Sequence, residues 1–287
     1  MSDGRDEWRL RDRMLNPGRT ALVMGIINVT PDSFSDGGRF AATEAAVIHG
    51  IDLVRQGADL LDIGGESTRP GADPIDVEEE LRRVLPVVRE LAAQTSVPLS
   101  VDTCKAETAR QALAAGAHVI NDVTALLGDA DMAGVVRDTG AGVILMHMQG
   151  TPRTMQVNPV YEDVTKEVTA FLEARLQAAE DVGIARSQVV LDPGVGFGKT
   201  FEHNLELLAR LAELQRLGRP VCLGVSRKGF LGKLLDRSVA ERMVSSVAAV
   251  CHALAHGAAQ IVRVHDVAQT RDAVRLLQAL KERERRL

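Results

Sequence analysis

The sequence predicts an α/β chain folded as a single (β/α)8 TIM barrel, and three observations carry that prediction. Eight short apolar runs recur along the 287 residues, at 22–28, 60–64, 99–102, 118–122, 142–146, 189–192, 221–225 and 261–264. They are apolar throughout rather than alternating, as strands covered on both faces are. Helix-period segments separate them, near 43–56, 77–94, 105–115, 130–139, 161–182, 204–216 and 238–256, with a last one near 268–285. Finally, nearly every run ends in polar residues, where a barrel carries its active site; an open doubly wound sheet would place one glycine-rich phosphate loop early instead.

Composition narrows the function classes. A net charge of −5 argues against nucleic acid as a partner. The aromatic fraction is only 3%, so the core is built from Val, Leu, Ile and Ala. Cys104, Cys222 and Cys251 lie far apart and form neither a CxxC pair nor a metal spacing, which suits a reducing cytoplasm. The N-terminus is charged from the start, without the apolar core of a signal peptide. The most apolar helical stretch, Ser245–Ala259, is too short to span a bilayer, so no membrane role is expected. No composition break marks a linker; residues 20–287 are read as the barrel and 1–19 as a flexible extension.

Taken in order, the strand ends carry the chemistry. The first ends in Asn28, whose amide oxygen suits either Mg²⁺ or the amides of the adjacent turn. The second delivers LLDIGGESTRPG, a Gly-Gly turn followed by Thr68 and Arg69, a hydroxyl and a guanidinium fit for a phosphate. Strands three, four and six end in Asp102, Asn121-Asp122 and Asp192. Any one of these could be a helix cap, but three in one barrel mouth form an acceptor-rich pocket for a ligand edge with several N–H donors. After strand five, Met146 and Met148 read as pocket wall. The GVGFGKT stretch is not a phosphate loop, because Pro193 stands where the first glycine of GxxxxGK[ST] is required. Its backbone at Gly196 can still approach a flat ligand, with Phe197 as a cover. Strand seven runs into Ser226-Arg227-Lys228. Strand eight places Arg263 and His265 on one face, and an inward Arg there requires an anionic partner or ligand. The pocket therefore suits a ligand with a donor-rich head and a phosphorylated tail.

The segments GIINVTPDSFSDGG, IGGESTRPGA, SVDTCK, INDVTAL, MHMQGTP, LDPGVGFGK, GVSRKGFLG and IVRVHDV resemble the dihydropteroate synthase family, in order, from Met24 to Asp266. The resemblance implies a barrel enzyme of folate biosynthesis. Such an enzyme condenses 6-hydroxymethyl-7,8-dihydropterin diphosphate with 4-aminobenzoate and releases pyrophosphate with Mg²⁺. By that likeness Asp102, Asn121 and Asp192 match pterin ligands, and Lys228 matches the lysine between the pterin and aminobenzoate sites. Asn28 matches the residue near Mg²⁺, and Thr68, Arg69, Arg263 and His265 match the diphosphate contacts. Ser226, Phe197, Phe34 and Pro70 would line the aminobenzoate side, and Asp36 would help order the closed site. Lys228, Arg263 and Asp102 are the catalytic assignments.

The family likeness also implies a homodimer, for which the Ser245–Ala259 helix offers an apolar face. One departure is Cys104, where the family often has Ser. Two alternatives share the pterin ligands. A methyltetrahydrofolate–corrinoid methyltransferase barrel has no need of the SRK loop or the Arg-x-His strand. A non-catalytic pterin-binding paralogue would be expected to lose Asn28, Arg69 or Arg263, all present here.

Overall fold

The computed structural model describes residues 6–30, 38–69 and 71–286. A two-stranded antiparallel hairpin, β1 (Trp8–Arg9) and β2 (Met14–Leu15), precedes eight parallel strands. These are β3 (Leu22–Asn28), β4 (Leu60–Gly64), β5 (Leu99–Asp102), β6 (Val119–Asp122), β7 (Gly142–Met146), β8 (Val189–Asp192), β9 (Cys222–Gly224) and β10 (Ile261–Val264). The sheet runs β8-β7-β6-β5-β4-β3-β10-β9, and a parallel bridge from Leu191 to Val221 joins its two edges into a barrel. Around it lie α1 (Gly38–Arg55), α2 (Val77–Gln94), α3 (Ala106–Ala114), α4 (Met132–Thr139), α5 (Val164–Asp181), α6 (Phe201–Ala209), α7 (Gly229–Leu235), α8 (Met243–Ala255) and α9 (Val267–Glu284).

All eight strands match the apolar runs to within a residue or so. The helices differ more. α7 has seven residues, two of them glycine, and carries no readable helical period. The 204–216 stretch divides into α6 and a 3₁₀ segment, Leu211–Leu217.

The core has two parts. The larger lies between strands and helices and includes Ile27, Ile63, Val101, Leu145, Leu191 and Val262. The smaller fills the barrel's amino-terminal end: Met24, Leu60, Val119, Ile144, Val190, Cys222 and Ile261 meet Trp8 and Leu10 of the hairpin. The described part of the extension expected to be flexible is therefore a plug. Trp8 is fully buried and its indole N–H donates to the Gln188 carbonyl at 2.8 Å. Arg219, buried beside it, donates to the Glu7 carbonyl at 2.7 Å. The sequence reading missed this because an eight-residue hairpin of mixed charge, with one Trp, has no periodicity to detect.

Candidate active site

The strand period of two turns the plug into a register for the site. Two residues beyond the plug positions Leu60, Val119, Ile144, Val190, Cys222 and Ile261 stand Asp62, Asn121, Met146, Asp192, Gly224 and Arg263. On β5 the same alternation gives Ser100 and then Asp102. The lower inward layer is thus almost wholly apolar, and the upper one gathers Asp62, Asp102, Asn121, Asp192 and Arg263 beside Ile26, Met146 and Gly224.

Arg263 is the centre of that upper layer. Its Nε donates to Asp62 Oδ2 at 2.6 Å and its Nη2 to Asp102 Oδ2 at 2.9 Å. Asn121 donates from Nδ2 to the same Asp62 oxygen at 3.1 Å. Arg263 thus finds the anionic partners its position requires, and Nη1 has no partner among the described residues. Asp62 is the residue sequence reasoning passed over. It is wholly buried, and its Oδ1 has no hydrogen-bond partner among the described residues. An acidic residue inside an apolar strand, in step with Leu60, was the available signal.

Burial pushes the Asp102 carboxyl up to about 7; Arg263 opposes the shift and the neighbouring Asp62 adds to it. Burial likewise raises Asp192, against the pull of Lys228, while its Oδ1 accepts from the Gly194 N–H at 2.7 Å. Lys228 is lowered to about 8 by burial, with Asp192 opposing. Its ammonium donates to the Val195 carbonyl and lies 4.6 Å from the centroid of the Phe197 ring. Lys228 also sits immediately before α7, so that unforeseen helix fixes where its side chain starts.

The preceding residue, Arg227, has a φ of 56°, unusual for a side-chain-bearing residue. Two ties hold it there. Its N–H donates to Ser246 Oγ at 2.8 Å, and its guanidinium grips Asp266 through both Nε and Nη2. The two adjacent cations therefore separate: Arg227 braces the β9 and β10 loops, and Lys228 faces the pocket. Ser226 is buried; its Oγ lies 2.9 Å from His265 Nδ1 and accepts from the His265 N–H at 3.2 Å. Burial and then Arg263 depress His265 to about 4, so at neutral pH the imidazole is uncharged. It offers a hydrogen bond, not a positive charge.

The β4 loop is braced from behind. Glu80 of α2, buried, accepts from Thr103 at 3.0 Å and Thr108 at 2.8 Å and pairs with Lys105 at 3.2 Å; Lys105 also holds Glu66. Arg83 donates to the Gly65 carbonyl at 2.8 Å. Thr68 and exposed Arg69 follow on that anchored base, and the Arg69 charge reaches His265. Asn28 ends β3 opposite Gly64. Met146, buried, lies beneath Gly194, where an added Cβ would come 3.4 Å from its Cγ. A Cβ on Gly196 would come 3.1 Å from Lys228 Cδ, so this glycine keeps the lysine channel open. Burial raises the Cys104 thiol to about 11, which makes it an unreactive neighbour. Phe34, Asp36 and Pro70 lie outside the described residues.

Among the described residues no cluster of three or more His, Cys, Asp or Glu side chains could hold a metal. Mg²⁺ held mainly by substrate phosphates and water needs only one or two protein oxygens. Asn28 would be the protein donor.

The model of the pterin binding enzyme family matches residues 24–265. The dihydropteroate synthase of Escherichia coli (strain K12) is 47% identical over 257 residues, covering 90% of each chain. That of Synechocystis is 45% identical, covering 87% of this chain and 86% of the relative. Among solved structures, Xanthomonas albilineans dihydropteroate synthase with 4-aminobenzoic acid superposes with a TM-score of 0.90 at 50% identity, covering 96% of this chain and 98% of that one. The same enzyme in complex with 7,8-dihydropteroate gives 0.86 at 47% identity over the same shares. With a barrel mouth built to this plan and identity of this extent, the chain belongs to the dihydropteroate synthase family of pterin-binding enzymes.

Proposed function

We propose that this chain joins 6-hydroxymethyl-7,8-dihydropterin diphosphate to 4-aminobenzoate, giving 7,8-dihydropteroate and pyrophosphate. The observation that carries the reading is the buried acceptor set Asp102, Asn121 and Asp192 facing Lys228, with Arg263 held between carboxylates. A pterin's 2-amino-pyrimidinone edge offers N–H donors to such a set. Arg69, the open Nη1 of Arg263 and the neutral His265 lie on the side where a diphosphate tail would extend.

In this reading the C–O bond between the pterin methylene and the diphosphate breaks first. The electron-rich ring carries the developing positive charge, and the cations neutralise the leaving group. Mg²⁺ bound with the diphosphate and Asn28 would supply further charge neutralisation. The arylamine nitrogen then forms the C–N bond and loses its proton to solvent. No strongly shifted base is needed, which agrees with His265 and Lys228 serving as donors.

Free Cys104, Cys222 and Cys251 support a cytoplasmic setting. Val244, Leu234, Leu235 and Val239, on and between α7 and α8, are exposed large apolar side chains and support a homodimer through this side of the barrel. Sulfonamides, as 4-aminobenzoate mimics, are the expected inhibitors. The test supplies both substrates and Mg²⁺ and measures pyrophosphate release. Folded protein with no release above blank would refute the reading.

A further inference from the structure

The turn between β8 and α6 contains a buried lysine that the reaction itself does not use. Lys199 is 2% exposed, the largest fully buried side chain after Trp8. Its Nζ donates to the Gly194 carbonyl at 2.9 Å and the Phe197 carbonyl at 3.0 Å, and lies 2.9 Å from His147 Nδ1. His147 follows β7 and is itself fixed: its N–H donates to the Asp192 carbonyl at 3.0 Å, and its ring meets Phe171 edge-on at 4.9 Å.

The turn needs such a hub. Gly194, Gly196 and Gly198 have φ values of 64°, 86° and 60°, so successive carbonyls point in different directions and none can join a regular ladder. Each of the five still accepts a side-chain hydrogen bond. Gly194 and Phe197 use Lys199; Val195 uses Lys228; Gly196 uses Gln156 at 2.9 Å; Gly198 uses the Tyr161 hydroxyl at 2.7 Å. Lys199 alone serves two of the five and ties them to a second barrel strand.

We propose that Lys199 is the positioning residue of this turn: anchored on His147, it fixes the Val195 carbonyl and Phe197 ring between which the Lys228 ammonium is seated. Burial holds both Lys199 and His147 to weaker proton binding than usual, His147 down to about 3. The contact to His147 accommodates the lysine as an ammonium donating to an unprotonated Nδ1. It equally accommodates an amine accepting from Nδ1–H, because the two carbonyls then take its remaining two hydrogens.

The inference rests on the synthase reading for its consequence but not for its first readout. That readout is amide hydrogen exchange on the full chain, comparing wild type with Lys199→Met. The N–H groups of Gly194, Gly196 and Phe197 are each hydrogen-bonded inside or beside the turn. Loss of the hub speeds their exchange by about tenfold or more and leaves β5 and β6 unchanged. In steady-state kinetics the KM for 4-aminobenzoate rises by roughly fivefold or more, and more than the KM for the pterin diphosphate, because two of the three pterin acceptors, Asp102 and Asn121, stand on other strands. If Lys199→Met fails to fold, His147→Phe keeps an aromatic ring against Phe171, removes the anchor and is expected to speed exchange in the same segment. Unchanged exchange across 194–198 overturns the proposal, as does equal acceleration through the whole barrel or an equal rise in both KM values. A wild type that releases no pyrophosphate would sink the synthase reading and leave the exchange criterion in force.

Discussion

Asp62→Asn is the substitution that most directly tests the electrostatics at the barrel's centre. Asp62 Oδ2 accepts from Arg263 at 2.6 Å and from Asn121 at 3.1 Å, while Oδ1 is buried without a partner among the described residues. An amide can keep its oxygen at the Oδ2 position and still accept both bonds, so the shape of the site survives. Two things are lost. The Arg263 bond ceases to be an ion pair, and the new NH₂ occupies a buried position with no acceptor. A charge-assisted buried bond contributes about 1.5–3 kcal/mol, and an orphaned buried donor costs about 1–3 kcal/mol. Removing a carboxylate close to Asp102 gives back part of this, so a net loss of about 2–4 kcal/mol is expected, roughly 30- to 700-fold in the folding constant.

The same change moves Asp102. Its folded value of about 7 lies above its ordinary value of 3.8, so the folded chain binds this proton more tightly and the group's contribution to stability is lost as pH rises from about 4 through 7. Asp62 is one of the groups raising that value, and without it Arg263 acts on Asp102 alone. The acid limb of pterin binding should therefore shift to lower pH in Asp62→Asn, read by calorimetric titration alongside urea unfolding. Unaltered stability together with an unmoved acid limb would refute the argument that the two carboxylates share Arg263.

Three further outcomes are expected. Trp8→Ala empties the plug and should cost about 3–5 kcal/mol in urea unfolding, with turnover per folded molecule nearly unchanged because the residue lies at the opposite end of the barrel from the site. Gly194→Ala places a Cβ 1.8 Å from the His147 carbonyl oxygen at a φ of 64°, and soluble folded protein should fall sharply, as gel filtration would register. The alkaline limb of the rate profile should fall near pH 8, where Lys228, depressed by burial, gives up its proton, and this limb should vanish in Lys228→Met; a flat profile from pH 7 to 10 in the wild type would contradict the assignment.

Much of this architecture was legible in the chain, and the reason is specific. Parallel strands buried on both faces leave uninterrupted apolar runs, so Leu60–Gly64 or Gly142–Met146 could be bounded to the residue. The acceptors Asp102, Asn121 and Asp192 stood out because each lies in the last two residues of such a run. Asp62 did not, because it lies within one, and only the alternation seen once the strands are registered shows that it faces inward with Arg263. The charge of His265 was not legible for a related reason: burial and three nearby guanidiniums decide it, and two of them belong to other loops. Lys199 looked like the end of a failed phosphate motif, since nothing in GVGFGKT reveals that His147, 52 residues earlier, is its partner.

The amino-terminal plug has a consequence for how the chain comes to be folded. Trp8 is synthesised well before its indole partner, Gln188, which follows 180 residues later, and the Glu7 carbonyl waits 212 residues for Arg219. At about 5–20 residues per second, the hairpin's apolar side chains remain without their seat for roughly 10–40 s of synthesis. The barrel thus receives its base from a segment made long before the residues that hold it. A cell that makes this protein must shield that tryptophan throughout this interval.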